Sequence, residues 1–123
     1  MLPNSSGNLA VISGSGSNSF ANADLNLTAT GLPPNVNGIF YYGTAQLAAP
    51  FGDGFRCVGG TVQRLPIGSA DGAGVLTLQD VFAQPMPTVP LAVGTFNFQA
   101  WFRDSAAMMS GFNLSDGLSV TFN

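Results

Sequence analysis

Apolar and polar residues alternate along several short stretches of this chain, and the period is that of a β-strand. In Asp24 to Thr30, Leu25, Leu27 and Ala29 fall on one side, with Asp24, Asn26, Thr28 and Thr30 on the other. That is a strand with one dry and one wet face. In Thr95 to Arg103, Phe96, Phe98, Ala100 and Phe102 share a face opposite Asn97, Gln99, Trp101 and Arg103. The phenylalanine face is the predicted core, which leaves Trp101 on the polar side or under a second layer. Further strands are predicted at Asn8–Ser13, Gly38–Gly43, Arg56–Ile67, Gly74–Gln79 and Leu118–Phe122, and no stretch carries a convincing helical period.

Turn chemistry separates these runs. Gly31-Leu32-Pro33-Pro34-Asn35 is a rigid connection whose prolines cannot donate to a ladder and so end the second strand. Asp71-Gly72-Ala73-Gly74 reads as a turn. Asp80 to Gly94 contains Pro85, Pro87 and Pro90, and reads as a stiff surface connection crossing between sheets. Residues 1–22 are expected to form an N-terminal strand followed by a flexible loop from Gly14 to Asn22. Seven strands in 123 residues suit one all-β domain, an antiparallel two-sheet sandwich of the immunoglobulin or fibronectin type III kind. A jelly roll is the alternative.

Composition narrows the chemistry. The chain holds three Arg and six Asp and has no Lys, Glu or His; charged residues make up 7%, against about 25% in an average soluble domain. Without His for proton transfer near neutrality or Lys for a Schiff base, acid–base work would fall to Asp or Tyr, and a non-enzymatic role is expected. A net charge of −3 with three scattered arginines argues against nucleic acid. No run approaches the roughly 20 apolar residues of a membrane-spanning helix. The start of the chain lacks the basic and apolar regions of a signal peptide, so an exported form is expected to have lost its signal. So little charge suits an extracellular or assembled protein better than a crowded cytosol.

Five motifs together carry a resemblance: Leu2-Pro3-Asn4-Ser5-Ser6-Gly7, Gly31-Leu32-Pro33-Pro34-Asn35, Cys57-Val58-Gly59-Gly60, Phe96-Asn97-Phe98-Gln99-Ala100-Trp101-Phe102-Arg103-Asp104 and Ser115-Asp116-Gly117-Leu118-Ser119-Val120. The chain resembles an uncharacterised module that closes large exported bacterial proteins. The likeness runs over nearly the whole length and implies a secreted or cell-surface location without implying an activity. The final strand pair is also similar to the last hairpin of fibronectin type III domains. In the module a Cys often stands just before the Leu-Pro-Asn opening, where this chain has Met1. The resemblance therefore implies that Cys57 lacks its usual disulfide partner here.

Taken by itself, Cys57 reads either as a small buried hydrophobe or as a thiol whose partner lies in another subunit. A catalytic thiol is not expected without a His. Zinc lacks its preferred ligands, and no cofactor is expected. Calcium is the one ion with candidate ligands, at Asp53, Asp104 and Asp116, although Asp-Gly pairs are ordinary turn chemistry and no EF-hand spacing is present. Asp104, Arg103 and Asp116 are otherwise expected to anchor the last hairpin, and a hydrolytic pair of Asp104 with Asp116 is kept only for contrast. Asn4, Asn26 and Asn113 fit the glycosylation pattern, which carries no weight for a bacterial protein.

Two functional expectations follow. The first is a secreted structural or adhesion module that meets copies of itself or neighbouring surface domains, self-associating into an oligomer or fibre through strand addition by Leu9, Ala10, Val11 and Ile12. The second is polysaccharide binding through exposed aromatic rings, with Tyr41, Tyr42 and Trp101 as candidates.

Overall fold

A computed structural model describes Asn4 and residues 6–51, 54–104 and 111–123. Eight strands follow in order: β1 (Val11–Ser15), β2 (Asn26–Thr30), β3 (Asn37–Phe51), β4 (Gly54–Arg64), β5 (Gly68–Ser69), β6 (Leu76–Leu78), β7 (Gly94–Arg103) and β8 (Phe112–Phe122). They form two antiparallel sheets, β1-β2-β6 and β4-β3-β7-β8, with the two-residue β5 beside the start of β3. The two sheets pack face to face as an antiparallel β-sandwich. Among the described residues no helix is long and apolar enough to cross a membrane.

The alternating patterns meet between the sheets. Leu25, Leu27 and Ala29 of the first sheet pack with Phe96, Phe98, Ala100 and Phe102 of the second, joined by Phe40, Tyr42, Leu76 and Phe122. Leu27, Ala29, Phe98 and Ala100 are fully buried. Tyr42 meets Phe96 and Phe98 at ring-centre distances of 5.7 and 5.2 Å, contacts worth about 0.5–1.5 kcal/mol each beyond their buried area.

The proline-rich segment does cross from β6 in one sheet to β7 in the other, through a single 3₁₀ turn at Val81–Ala83. It is fastened to the sandwich. Gln63 Oε1 accepts from the N–H groups of Thr88 and Val89 at 2.7 and 3.0 Å, Tyr42 donates its hydroxyl to the Val89 carbonyl, and Val81 and Leu91 are buried. The small polar stretch after β1, expected to be flexible, is also tied down. The backbone N–H and hydroxyl of Ser17 donate to Asp24 Oδ1 at 2.9 and 3.0 Å, holding that carboxyl below its ordinary pKa. Farther along, the Phe20 N–H reaches the Asn123 carbonyl.

The largest departure from the sequence-based expectation is the β3–β4 hairpin. Its proximal half, up to Gly43, pairs with β7, but β3 continues to Phe51 paired with β4 alone. Two register shifts, between Gly43 and Ala45 and between Gln46 and Ala49, interrupt the ladder. Bulges of this kind bend a strand pair and increase its twist. The distal arm folds back over the outer face of β7 and β8, so a face that reads as wet is largely dry. Asn97 is 5% exposed, Gln99 0% and Asn113 0%.

Candidate functional site

Gln99 fixes the arm in place, and it does so with all four of its hydrogen-bonding positions. Its Oε1 accepts from the Tyr41 hydroxyl at 2.6 Å and from the Cys57 N–H at 2.9 Å. Its Nε2 donates to the carbonyls of Phe55 at 2.9 Å and Ser115 at 2.6 Å. One amide thus joins β3, β4, β7 and β8, with no polar position left over. Gln46 Nε2 adds a bond to Asn97 Oδ1 at 2.9 Å. Under the arm lies a second small core of Tyr41, Val58 and Leu114, with Phe51, Val62 and Trp101 packed against it.

At the margin of this core, three rings form a cluster. Phe51, Trp101 and Phe112 stand edge to face at centre distances of 5.5 Å (Phe51–Trp101), 5.2 Å (Phe51–Phe112) and 5.5 Å (Trp101–Phe112). The guanidinium of Arg64 lies 5.1 Å from the centre of the Trp101 ring, and that of Arg56 lies 5.8 Å from Phe51. Both are cation–π contacts. Arg103 is opposite Phe112 in the β7–β8 ladder. All the basic residues of the chain, scattered in sequence, therefore surround one aromatic cluster on the outer face of the second sheet.

A groove of about 450 Å³ opens beside the cluster, lined by Asn37, Gly38, Ile39, Arg64, Ile67, Trp101, Phe102, Arg103 and Phe112. Its size falls within the usual range for ligand sites. Ile67 is 76% exposed at its rim. A smaller hollow of about 50 Å³ adjoins it, sharing Arg64 and Trp101 and adding Arg56, Tyr41, Phe51 and Val62.

The aromatic candidates separate. Trp101 stands at the groove, half-buried. Tyr41 and Tyr42 are 4% and 0% exposed, so neither presents a ring face to a ligand. Adjacent residues of a strand point to opposite sides, and here both sides are covered, one by the first sheet and the other by the hairpin arm. Burial pushes both phenols up to about 12, with Arg56 partly opposing the shift at Tyr41. The neutral form is thus favoured in the folded protein, and its stabilising effect is complete below the unfolded pKa of about 10. Stability is expected to fall as pH rises from about 10 to about 12. Urea midpoints at about pH 9 and about pH 11.5 should show the drop, and replacing both tyrosines by phenylalanine should shrink it; a flat profile would refute this.

The carboxylates do not converge. Asp116 Oδ1 accepts from the Ile12 N–H at 2.8 Å, and the Asp116 N–H donates to the Ala10 carbonyl. Asp104 instead lies at the far end of β7, its N–H bonded to the Gly111 carbonyl. About four ladder steps separate the two, roughly 13 Å, too far for shared calcium coordination. The anchoring of the last hairpin by an Arg103–Asp104–Asp116 cluster is corrected accordingly: Asp116 anchors β1. Asp53 lies outside the described residues. No group of three or more His, Cys, Asp or Glu is placed to hold a metal among the described residues.

The bonds to Asp116 also bear on strand addition. Leu9 and Val11 are exposed, while Ala10 and Ile12 point into the core. The Ile12 N–H and Ala10 carbonyl, which an incoming strand would need, are engaged by β8. Cys57 is a half-buried free thiol with its N–H on Gln99, at the edge of a separate hollow lined also by Gln46, Asn97 and Ser119. Sequence reasoning missed the arginine–aromatic grouping because Arg56, Arg64 and Arg103 come together only when the bulged hairpin folds over. The trace it leaves is Trp101 and Arg103 standing together on the polar face of β7. Comparison with protein-family profiles, characterised proteins and solved structures returns no match.

Proposed function

We propose that this domain is a non-enzymatic secreted or cell-surface adhesion module that holds its partner on the outer face of the second sheet, at the arginine–aromatic groove. The observation that carries the reading is the gathering of all three guanidiniums of an otherwise acidic chain around one cluster of rings. Desolvated contacts to aromatic rings and arginines dominate many binding surfaces. The groove has Trp101, Ile39, Ile67 and two arginines on its walls, and its described lining holds neither a thiol nor a carboxylate. The face is favoured over the β1 edge, whose outward backbone groups at Ala10 and Ile12 are already bonded.

Co-sedimentation of the purified domain with isolated bacterial cell envelopes tests the reading. Wild-type protein is expected in the pellet and to be released by about 1 M salt, where charges are screened beyond about 3 Å. The double variant Arg64→Gln/Arg103→Gln should stay in the supernatant. Absence of the wild type from the pellet, or equal sedimentation of both proteins, would overturn it.

A further inference from the structure

We infer that the groove is a site for the carboxylate-bearing sugar units of an acidic polysaccharide, an inference that rests on the adhesion reading above and names its ligand class. Three features point to this chemistry. The first is the pair of guanidiniums, Arg64 and Arg103, on the lining. They are the charged side chains among the described lining residues, and they carry no acceptor. Two guanidiniums meet a ligand with donors alone, and a carboxylate supplies acceptors alone. Its planar pair of oxygens also matches the guanidinium fork.

The second feature is the spread of charge. Arg56 lies by Phe51, Arg64 by Trp101 and Arg103 opposite Phe112, with the three rings in mutual contact between them. Cations distributed along an aromatic surface suit a chain of repeated negative units better than a single small anion. The third is the apolar wall. Trp101 and Phe112 are half-buried, not sealed, and Ile39 and Ile67 complete a surface against which the C–H face of a sugar ring can rest while its carboxylate reaches the rim. Four of the six acidic residues are committed elsewhere or lie apart: Asp24 to Ser17, Asp71 to the turn amides of Ala73 and Val75, Asp116 to β1, and Asp80 beyond the end of β6. The chain is acidic overall, yet all of its arginines stand around this one cluster of rings.

Affinity electrophoresis through gels containing polygalacturonate, neutral dextran or poly-aspartate separates the outcomes. Retardation is expected in polygalacturonate, abolished by about 1 M salt, and absent in dextran. Arg64→Gln and Arg103→Gln should each weaken it by about tenfold. Both side chains are exposed, so the thermal midpoint of the variants should match wild type and rule out unfolding. Equal or stronger retardation in poly-aspartate would assign the groove to acidic protein segments and overturn the inference. Retardation unchanged by the substitutions would place binding elsewhere and overturn it as well. Envelope binding that requires the two arginines, combined with no retardation in polygalacturonate, would remove the acidic sugar and keep the adhesion reading. Loss of both results would remove both.

Discussion

Replacing Gln99 by leucine is expected to destabilise the domain by about 3–5 kcal/mol, although leucine is nearly the same size and the site is wholly buried. The reason is the asymmetry of hydrogen bonding. A bond that is present contributes little net, whereas a buried group stripped of its partner costs about 1–3 kcal/mol. Leucine would strand the Tyr41 hydroxyl and the Cys57 N–H, each of which uses Gln99 Oε1, and would remove a donor from the Phe55 and Ser115 carbonyls. For a domain of this length, the thermal midpoint should drop by about 10–20 °C.

Tyr41→Phe in the Gln99→Leu background should recover part of the loss, because the stranded hydroxyl is then gone; the two substitutions should be clearly non-additive. Urea denaturation of the four proteins of this cycle supplies the measurement. A loss below about 1 kcal/mol for Gln99→Leu would mean that the arm is held by its apolar contacts, and the central role given to this amide would fail.

Gln99 also shows where the sequence stops being legible. The period-two pattern in Thr95–Arg103 correctly assigns Phe96, Phe98, Ala100 and Phe102 to the core, since that assignment needs only local alternation and the burial of large apolar area. The same pattern assigns Asn97 and Gln99 to solvent, because an amide in a strand carries no mark that says it will be covered. What covers it is set by a hairpin some forty residues earlier, whose strands outrun their neighbour and bend at two bulges. The expected strand at Gly38–Gly43 corresponds to the half of β3 that pairs with β7, and it misses the arm to Phe51. Pro50 is tolerated within β3 because it lies at the distal tip, opposite Phe55 near the end of the ladder.

The beginning of β8 was hidden for a similar reason. Gly111 and Ser115-Asp116-Gly117 look like loop residues, yet β8 runs from Phe112. A register shift between Gln99 and Trp101 absorbs the extra residue beside Ser115, and Ser115 Oγ meets the Ala100 N–H at 2.9 Å. The alternation puts Trp101 on the non-core face, and it stands there, half-buried against the second small core. Its arginine partner leaves no such mark, since Arg64 stands on a different strand and its approach depends on the fold of the hairpin. Tyr41 and Tyr42 were misjudged by the same omission: a second layer gives both sides of β3 something to bury against.

Phe98→Ala and Trp101→Ala, two truncations on one strand, are expected to separate the two faces of β7 by what each is for. Phe98 is fully exposed to packing and not at all to water, at 0% relative exposure, and touches Tyr42 in the main core. Its removal takes out a buried ring and leaves a cavity between two sheets that cannot readily collapse, at a cost of about 3–5 kcal/mol. Trp101 is half-buried, bounded by Phe51, Phe112 and the Arg64 guanidinium. It has already kept part of its surface in water, so truncation should cost less, about 2 kcal/mol. Retention on an acidic polysaccharide should respond in the reverse order. Phe98→Ala, measured below its lowered thermal midpoint, should still bind, because no part of that ring reaches the groove; Trp101→Ala should not, because it removes both the wall of the groove and the ring that positions Arg64. Denaturation and gel retardation of the same two proteins decide the matter. If Trp101→Ala were to lose as much stability as Phe98→Ala while binding as well as wild type, the outer face of β7 would be a second core and nothing more, and the groove beside it would have no role in recognition.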